Sequence, residues 1–157
     1  MHEKPHRFVD LQAWFGKKTE HYRYTQGVAG EHFFREIKEN GKLLGTRCPK
    51  CGRVFLPPRL YCEDCMEYTS EWVPIEGPGH VETYTVLYRD LDDKPLETPR
   101  VLAFITWPGI EGGLIHDLGE VDPDDVYVGM PVEPVFKPQE EREGKITDIR
   151  YFKPAGD

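Results

Sequence analysis

The sequence predicts a mainly β protein with N-terminal helices, in which a small metal-pinned ribbon precedes a five-stranded barrel. Two observations carry that prediction. All four cysteines fall within 18 residues, as Cys48-Pro-Lys-Cys51 and Cys62-Glu-Asp-Cys65. Beyond them, five short β-rich segments occupy about 75 residues, separated by Pro, Gly and Asp turns. With 157 residues, the chain has room for one ordinary domain or two small ones.

Two C-x-x-C pairs at this spacing are the ligand set of a tetrahedral sulfur site. Pro49 stiffens the first knuckle, and Gly52 supplies the positive φ needed to leave it. The second knuckle has neither. The ten residues between the pairs bury little apolar surface, so a metal has to hold them together. Structural zinc contributes about 10–16 kcal/mol in zinc-finger peptides. Four thiolates leave no open position for water, which favours structural zinc on Cys48, Cys51, Cys62 and Cys65. Iron fits the same ligands, as in rubredoxin. Two disulfides are the other alternative, but adjacent C-x-x-C pairs crosslink little chain and the cytoplasm keeps thiols reduced.

The elements follow in order. Phe8, Leu11, Trp14 and Phe15 have the spacing of a short amphipathic helix, followed by the aromatic cluster around Tyr22 and Tyr24. These aromatics suit either an interface or packing over the protein's own ribbon or barrel. Residues 30–41 form the better helix, with Phe33 and Ile37 on one face, Phe34 beside them, and Asn40-Gly41 as its C-cap. Leu43–Thr46 is a strand feeding the first knuckle, and Tyr68–Val73 is the last strand of the ribbon. Pro74–Gly79 holds two prolines and two glycines and marks a boundary. The expected divisions are a helical, partner-docking segment at 1–41, a rubredoxin-like zinc ribbon at 42–73 and a barrel at 74–157.

In the barrel, His80–Tyr88 is a long strand and Val101–Trp107 a central buried one. Gly113–Leu118, Val132–Phe136 and Ile146–Phe152 complete the five, with Pro134 pushing its strand to an edge or bulge. Asp122-Pro123-Asp124-Asp125 opens one helical turn. Long loops are expected at Asp90–Pro99 and Lys137–Gly144. Five short strands so arranged fit a closed barrel of OB type.

Charge is distributed unevenly. Residues 1–47 carry +3, residues 48–72 carry −1, and residues 73–157 carry −10 of a net −8. So acidic a barrel lacks the electropositive groove that single-stranded nucleic acid needs. That argues against the zinc-ribbon/OB module as a nucleic-acid binder, the main alternative, with a rubredoxin-like electron carrier the next. No run approaches the ~20 apolar residues of a membrane span. The N-terminus has no apolar run like a secretory signal, so a cytoplasmic location is expected.

The chain shows no catalytic constellation of its own. Its cysteines are committed to metal. His116 and Asp117 are neighbours on a strand, so they point to opposite faces and cannot relay a proton. A free-standing thioesterase using His116 is therefore the weakest alternative. The acidic loop clusters read as solvated. Arg53 and Arg59 flank the rigid Pro57-Pro58 step, a placement that suits a phosphate as well as ordinary surface charge.

The segments EHFFREIKENGKLLGTR, CPKCGRVFLPPRLYCEDC and VGMPVEPVFKP, joined by a Gly-Pro-Gly link, together resemble the acyl-CoA-associated OB-fold family with an N-terminal rubredoxin-like zinc ribbon. The likeness covers about residues 30–154. The second knuckle departs from it, with Cys-Glu-Asp-Cys where Cys-Pro-x-Cys is common, and the first 27 residues are longer than many members carry. The resemblance implies a small companion subunit of thiolase-superfamily proteins: acetoacetyl-CoA thiolase with hydroxymethylglutaryl-CoA synthase, steroid side-chain aldolases, or thiolases of aromatic-acid degradation. It implies a hetero-oligomer in which the partner supplies the catalytic Cys and His and an acyl-CoA thioester is bound jointly. Arg53 and Arg59 would then meet CoA phosphates, and Trp14, Phe15, Tyr22, Tyr24, Phe33 and Phe34 would anchor the partner.

Overall fold

A computed structural model describes residues 24–156. The helix expected near Phe8 and the anchors Trp14, Phe15 and Tyr22 lie outside them. Among the described residues there is one α-helix, so the expected helices in the plural reduce to α1, Gly27–Asn40. Its buried stripe is Ala29, Phe33 and Ile37, spaced by four. Gly41 closes it with an N–H to Ile37 O bond of 3.1 Å, as the Asn-Gly pair predicts.

The ribbon follows as strands β1 (Leu43–Arg47), β2 (Val54–Leu56) and β3 (Glu71–Ile75). Tyr68 is not in β3; it makes an isolated bridge with Tyr61. β3 runs across the expected 73/74 boundary to Ile75. It tolerates Pro74 because it lies at the sheet edge. His32 of α1 stacks on Trp72 of β3 at 4.5 Å between ring centroids, seating the helix against the ribbon.

Next come β4 (Gly79–Arg89), β5 (Pro95–Thr106), β6 (Ile110–Gly112), β7 (Leu114–Leu118), β8 (Pro131–Phe136) and β9 (Ile149–Pro154). Five of them close into a barrel in the order β4-β5-β7-β9-β8. Pro123–Asp125 is the expected single turn, capped by the Asp122 carboxylate, which accepts from Asp124 N at 3.0 Å. Pro134 pairs only with β9, opposite Phe152, so its missing N–H interrupts no second ladder.

Three expectations change. The loop expected at Asp90–Pro99 shrinks, because β5 begins at Pro95 and forms with β4 a long hairpin arm, Arg89 opposite Pro95. Two prolines signal a break in sequence, yet a two-stranded arm tolerates them where no third strand pairs. Ile146–Asp148 is a short helical turn rather than the start of β9, because the Asp148 side chain folds the chain back on residues 143–145.

The third change is β6, which no sequence signal marked. It leaves the barrel half and joins the ribbon sheet in parallel beside β2, giving the order β3-β1-β2-β6. Gly112 makes that approach possible: at φ +89, a Cβ there would lie 2.3 Å from the Leu56 carbonyl oxygen. Helix, ribbon and barrel also share one apolar cluster, in which Phe33, Ile37, Leu43 and Leu56 pack with Val81, Ile105, Val132 and Phe152.

Candidate functional site

The four cysteines come together as expected. Their sulfurs all lie within 4.8 Å of one another. A tetrahedral site with Zn–S bonds of about 2.3 Å has S···S edges of about 3.8 Å. Cys51 Sγ and Cys62 Sγ stand 3.8 Å apart. The donor set and its size therefore fit a tetrahedral thiolate metal.

Both knuckles use the same backbone device. Cys48 N bonds Arg53 O at 2.8 Å and Gly52 N bonds Cys48 O at 2.9 Å; Cys62 N bonds Glu67 O and Met66 N bonds Cys62 O, both at 2.9 Å. Gly52 leaves the first knuckle at φ +76, and Met66 leaves the second at φ +53. Met66 is exposed and makes a left-handed turn that costs a side-chain-bearing residue about 1–2 kcal/mol. Met66→Gly is thus expected to stabilise the holo protein by about 0.5–1 kcal/mol after the added freedom of the unfolded chain is set against it. Urea unfolding at constant metal load measures this.

The protein field sorts the thiols. The Arg53 guanidinium, hydrogen-bonding to Cys51, draws that thiol down to about 6, helped by the Arg53 backbone N–H. Burial opposes ionisation of Cys62, but the backbone N–H groups of Cys65 and Asp64 help lower it overall. Burial pushes Cys65 up to about 12, and its sulfur neighbours add to the rise. A cation held by these four sulfurs would supply positive charge to Cys65, whose thiol burial keeps protonated.

Phe55 is buried, and both arginines lie over its ring, Arg53 at 5.7 Å and Arg59 at 5.1 Å from the centroid. Each is also paired with a carboxylate. Arg53 meets Asp64 and approaches Glu111 at 4.0 Å, and Arg59 meets Glu63 at 3.1 Å. The Arg59 backbone is clamped as well. Its carbonyl accepts from Thr46 Oγ1 at 2.9 Å and from Thr69 Oγ1, and its N–H donates to Thr46 Oγ1 at 3.0 Å. Thr46 and Thr69 are fully buried. They hold the Pro57-Pro58-Arg59 segment against the metal centre, and nothing in the sequence singled them out.

That segment forms one wall of an apolar cavity of about 490 Å³. Gly30, Phe33 and Phe34 of α1 form another wall; Gly113, Leu114, Ile115 and Ile146 of the barrel half form the third. No charged side chain lines it. Ile115 is 65% exposed and also borders a shallower hollow on the barrel's outer face, with Thr83, Thr85, Leu102 and Phe104. The two hollows make one apolar surface centred on Ile115. Sequence reasoning missed it, although the alternation of β7, Leu114 inward and Ile115 outward, carried the signal. A larger hollow of about 730 Å³ lies away from this site on the hairpin arm. Its arginines are engaged locally, Arg89 with Asp93 and Arg100 with Asp117.

The remaining site residues divide. Phe33, expected from the resemblance to anchor a partner, is 2% exposed and packs in the protein's own core on the helix face it shares with Ile37, so little of it is left for a partner. Phe34 is half-buried at the cavity wall, and Tyr24 is 84% exposed. His116 points toward the barrel core beside Phe152, and its Nδ1 accepts from the Asp117 backbone N–H at 2.9 Å. Asp117 turns outward to Arg100. Neither reaches the cavity or the other's side chain, so they form no dyad.

Comparison with known proteins agrees with this geometry. Residues 35–67 match the family model of the ChsH2 rubredoxin-like zinc ribbon domain, and residues 72–137 that of the ChsH2 C-terminal OB-fold domain. A DUF35 domain-containing scaffold protein of Methanocaldococcus jannaschii is 38% identical over 125 residues, covering 77% of this chain and 87% of that one. A crystal structure of a DUF35-family protein from Sulfolobus solfataricus superposes with TM-score 0.62 at 37% identity, over 69% of this chain and 78% of the other. A chain of the Ltp2–ChsH2(DUF35) aldolase shares the fold, with TM-score 0.60 at 24% identity over 84% of this chain and 98% of that one. The four-cysteine ribbon, the OB-fold domain behind it and these relatives place the chain in the DUF35 family.

Proposed function

We propose that this chain is a non-catalytic, zinc-bearing subunit of a thiolase-type acyl-CoA enzyme complex, supporting assembly and acyl-CoA binding while its partner supplies the nucleophile and base. One observation carries the reading: the charge-free cavity of about 490 Å³ between α1, the clamped Pro57-Pro58 step and Ile115. The described residues aim no nucleophile or base into it. A preorganised apolar wall suits either the apolar face of a catalytic subunit or the acyl part of a thioester held between the two chains. The names of relatives support the reading, one a DUF35 domain-containing scaffold protein and one a chain of the Ltp2–ChsH2(DUF35) aldolase.

In this reading Cys48, Cys51, Cys62 and Cys65 hold zinc, which neutralises the thiolates and fixes the wall. Residues 1–41, with Trp14, Phe15, Tyr22, Tyr24 and Phe34, add the docking segment; the ribbon at 42–73 and the barrel at 74–157 frame the cavity. Arg53 and Arg59 meet the CoA phosphates by exchanging Asp64 and Glu63 for the ligand. No described helix is long and apolar enough to cross a membrane, and a cytoplasmic complex is proposed.

The test is co-purification from the native source followed by reconstitution with the large subunit recovered. Ile115→Asp places a charge on the exposed apolar surface at little cost to folding. It is expected to weaken the complex at least about tenfold, the effect of about 1.4 kcal/mol. Arg59→Glu is expected to raise KM for the CoA thioester with assembly intact. Steady thioester turnover by the isolated chain would count against the proposal.

A further inference from the structure

Strand β4 has one open edge. Along most of its length it pairs with β5, from His80 opposite Thr106 to Arg89 opposite Pro95. On its other side it meets β8 only at Gly79 and His80, and Val81 closes that contact through bonds with Met130 O and Gly129 N. From Glu82 to Arg89 no described strand pairs with this second edge.

Folded proteins blunt such edges with proline, lysine or a covering element, because unpaired N–H and C=O groups template another strand. The other strand of the arm is blunted in this way, with Pro95 and Pro99 ahead of its pairing with β7 at Val101. β4 is not. Between Glu82 and Arg89 it carries neither Pro nor Lys, and Thr83-Tyr84-Thr85-Val86-Leu87-Tyr88 is an unbroken run of strand formers. The two irregularities in its pairing with β5 fall at Val81/Thr83 and Leu87/Arg89, so Thr83–Leu87 is a regular ladder between them.

We propose that two copies of the chain pair antiparallel through this edge about a two-fold axis, joining their barrels into one continuous sheet. The sequence selects the register. With Thr85 opposite Thr85, the facing pairs are Tyr84 with Val86, Thr83 with Leu87 and Glu82 with Tyr88. No like charges oppose each other, and an aromatic meets a β-branched residue, a favourable cross-strand pair. Centring on Val86 instead sets Glu82 opposite Asp90. Centring on Tyr84 runs Leu87 and Tyr88 onto Val81 and His80, whose edge β8 already occupies. A one-residue slip turns the core face of one copy to the solvent face of the other. The Thr85 register pairs Glu82 through Tyr88 on both copies and leaves Arg89 outside the ladder. β5 lies between β4 and β7, so pairing leaves Ile115 and the cavity beside α1 open, while Thr83 and Thr85, which border the shallower hollow, come to lie beside the second copy.

Light scattering and sedimentation of the zinc-loaded full chain, across micromolar to sub-millimolar concentrations, test this. The expected result is a concentration-dependent dimer. Thr85 is exposed, so Thr85→Lys folds and sets two like charges together at the axis; its dissociation constant should rise at least about tenfold. Thr85→Cys places two thiols directly opposite each other across the axis, at about the 4.5 Å Cβ separation of a close cross-strand pair, and is expected to crosslink between chains under mild oxidation. Thr83→Cys, which faces Leu87, should not. A native chain that stays monomeric throughout overturns the proposal, and so does crosslinking through residue 83 as readily as through residue 85. If Thr85→Lys fails to fold, the crosslinking pair decides.

Discussion

Cys62→Ser is expected to leave the chain without its metal and to unfold the ribbon. Cys62 is fully buried, its N–H is held by the Glu67 carbonyl, and its thiol is already lowered by backbone donors, so water has no ready way to take its place. Serine is a poor ligand for zinc beside three thiolates. Loss of a binding energy on the scale of about 10–16 kcal/mol is comparable to the whole margin of about 5–15 kcal/mol by which domains are stable. The effect does not stop at the ribbon, because Leu43 and Leu56 pack in the same cluster as Val81 and Phe152. Tm is expected to fall by at least about 10 °C, the shift that about 4–5 kcal/mol produces in a chain of this size. Hydrogen exchange should show Thr46 and Phe55 losing protection first. Elemental analysis should show one zinc per chain in the native protein and a large deficit in the variant; iron in its place would assign an electron-carrier centre. An apo chain with unchanged Tm would show that the shared core, not the metal, holds the ribbon.

The metal centre was legible because its grammar is local: two C-x-x-C steps, a proline and a glycine fix the knuckles within 18 residues. The barrel strands were legible for the same reason, since β-rich runs and Pro/Gly punctuation are read over short windows. The rest depended on what meets what. Ile110–Gly112 has no strand signature of its own; it becomes β6 only because Gly112 lets it lie against Leu56 across more than fifty residues of chain. The cavity is illegible on similar grounds. Phe34, Pro58 and Ile115 are far apart in sequence, and only the seating of α1 and the ribbon against the barrel brings them to one wall. Phe33 shows the converse error. A large aromatic beside a docking segment looks available until the fold supplies its own partner.

Asp148 offers the second large effect, and it reports on how the helix is tied to the barrel. Its side chain is fully buried and accepts from Glu143 N at 3.0 Å, Gly144 N at 2.6 Å and Lys145 N at 3.0 Å. Burial opposes ionisation, but those three donors help hold the carboxyl below the usual aspartate range. The loop so fixed carries Gln139, which donates to Glu39 O at 3.1 Å, and Arg142, which packs at Gly41. Asp148→Asn keeps the shape but replaces an acceptor oxygen with an N–H₂ that faces a donor. The cost at neutral pH is about 3 kcal/mol, the value of charge-assisted bonds lost with buried donors left unpaired. Because the folded pKa is depressed, the carboxylate's contribution is present above the unfolded value of about 3.9 and is lost as pH falls through the folded pKa. The stability gap between native chain and variant should therefore be full at neutral pH and close progressively below about pH 4. Denaturant unfolding of both proteins along one pH series measures it. A gap that stayed constant into acid would mean that shape rather than charge fixes this loop, and with it the C-terminal end of α1.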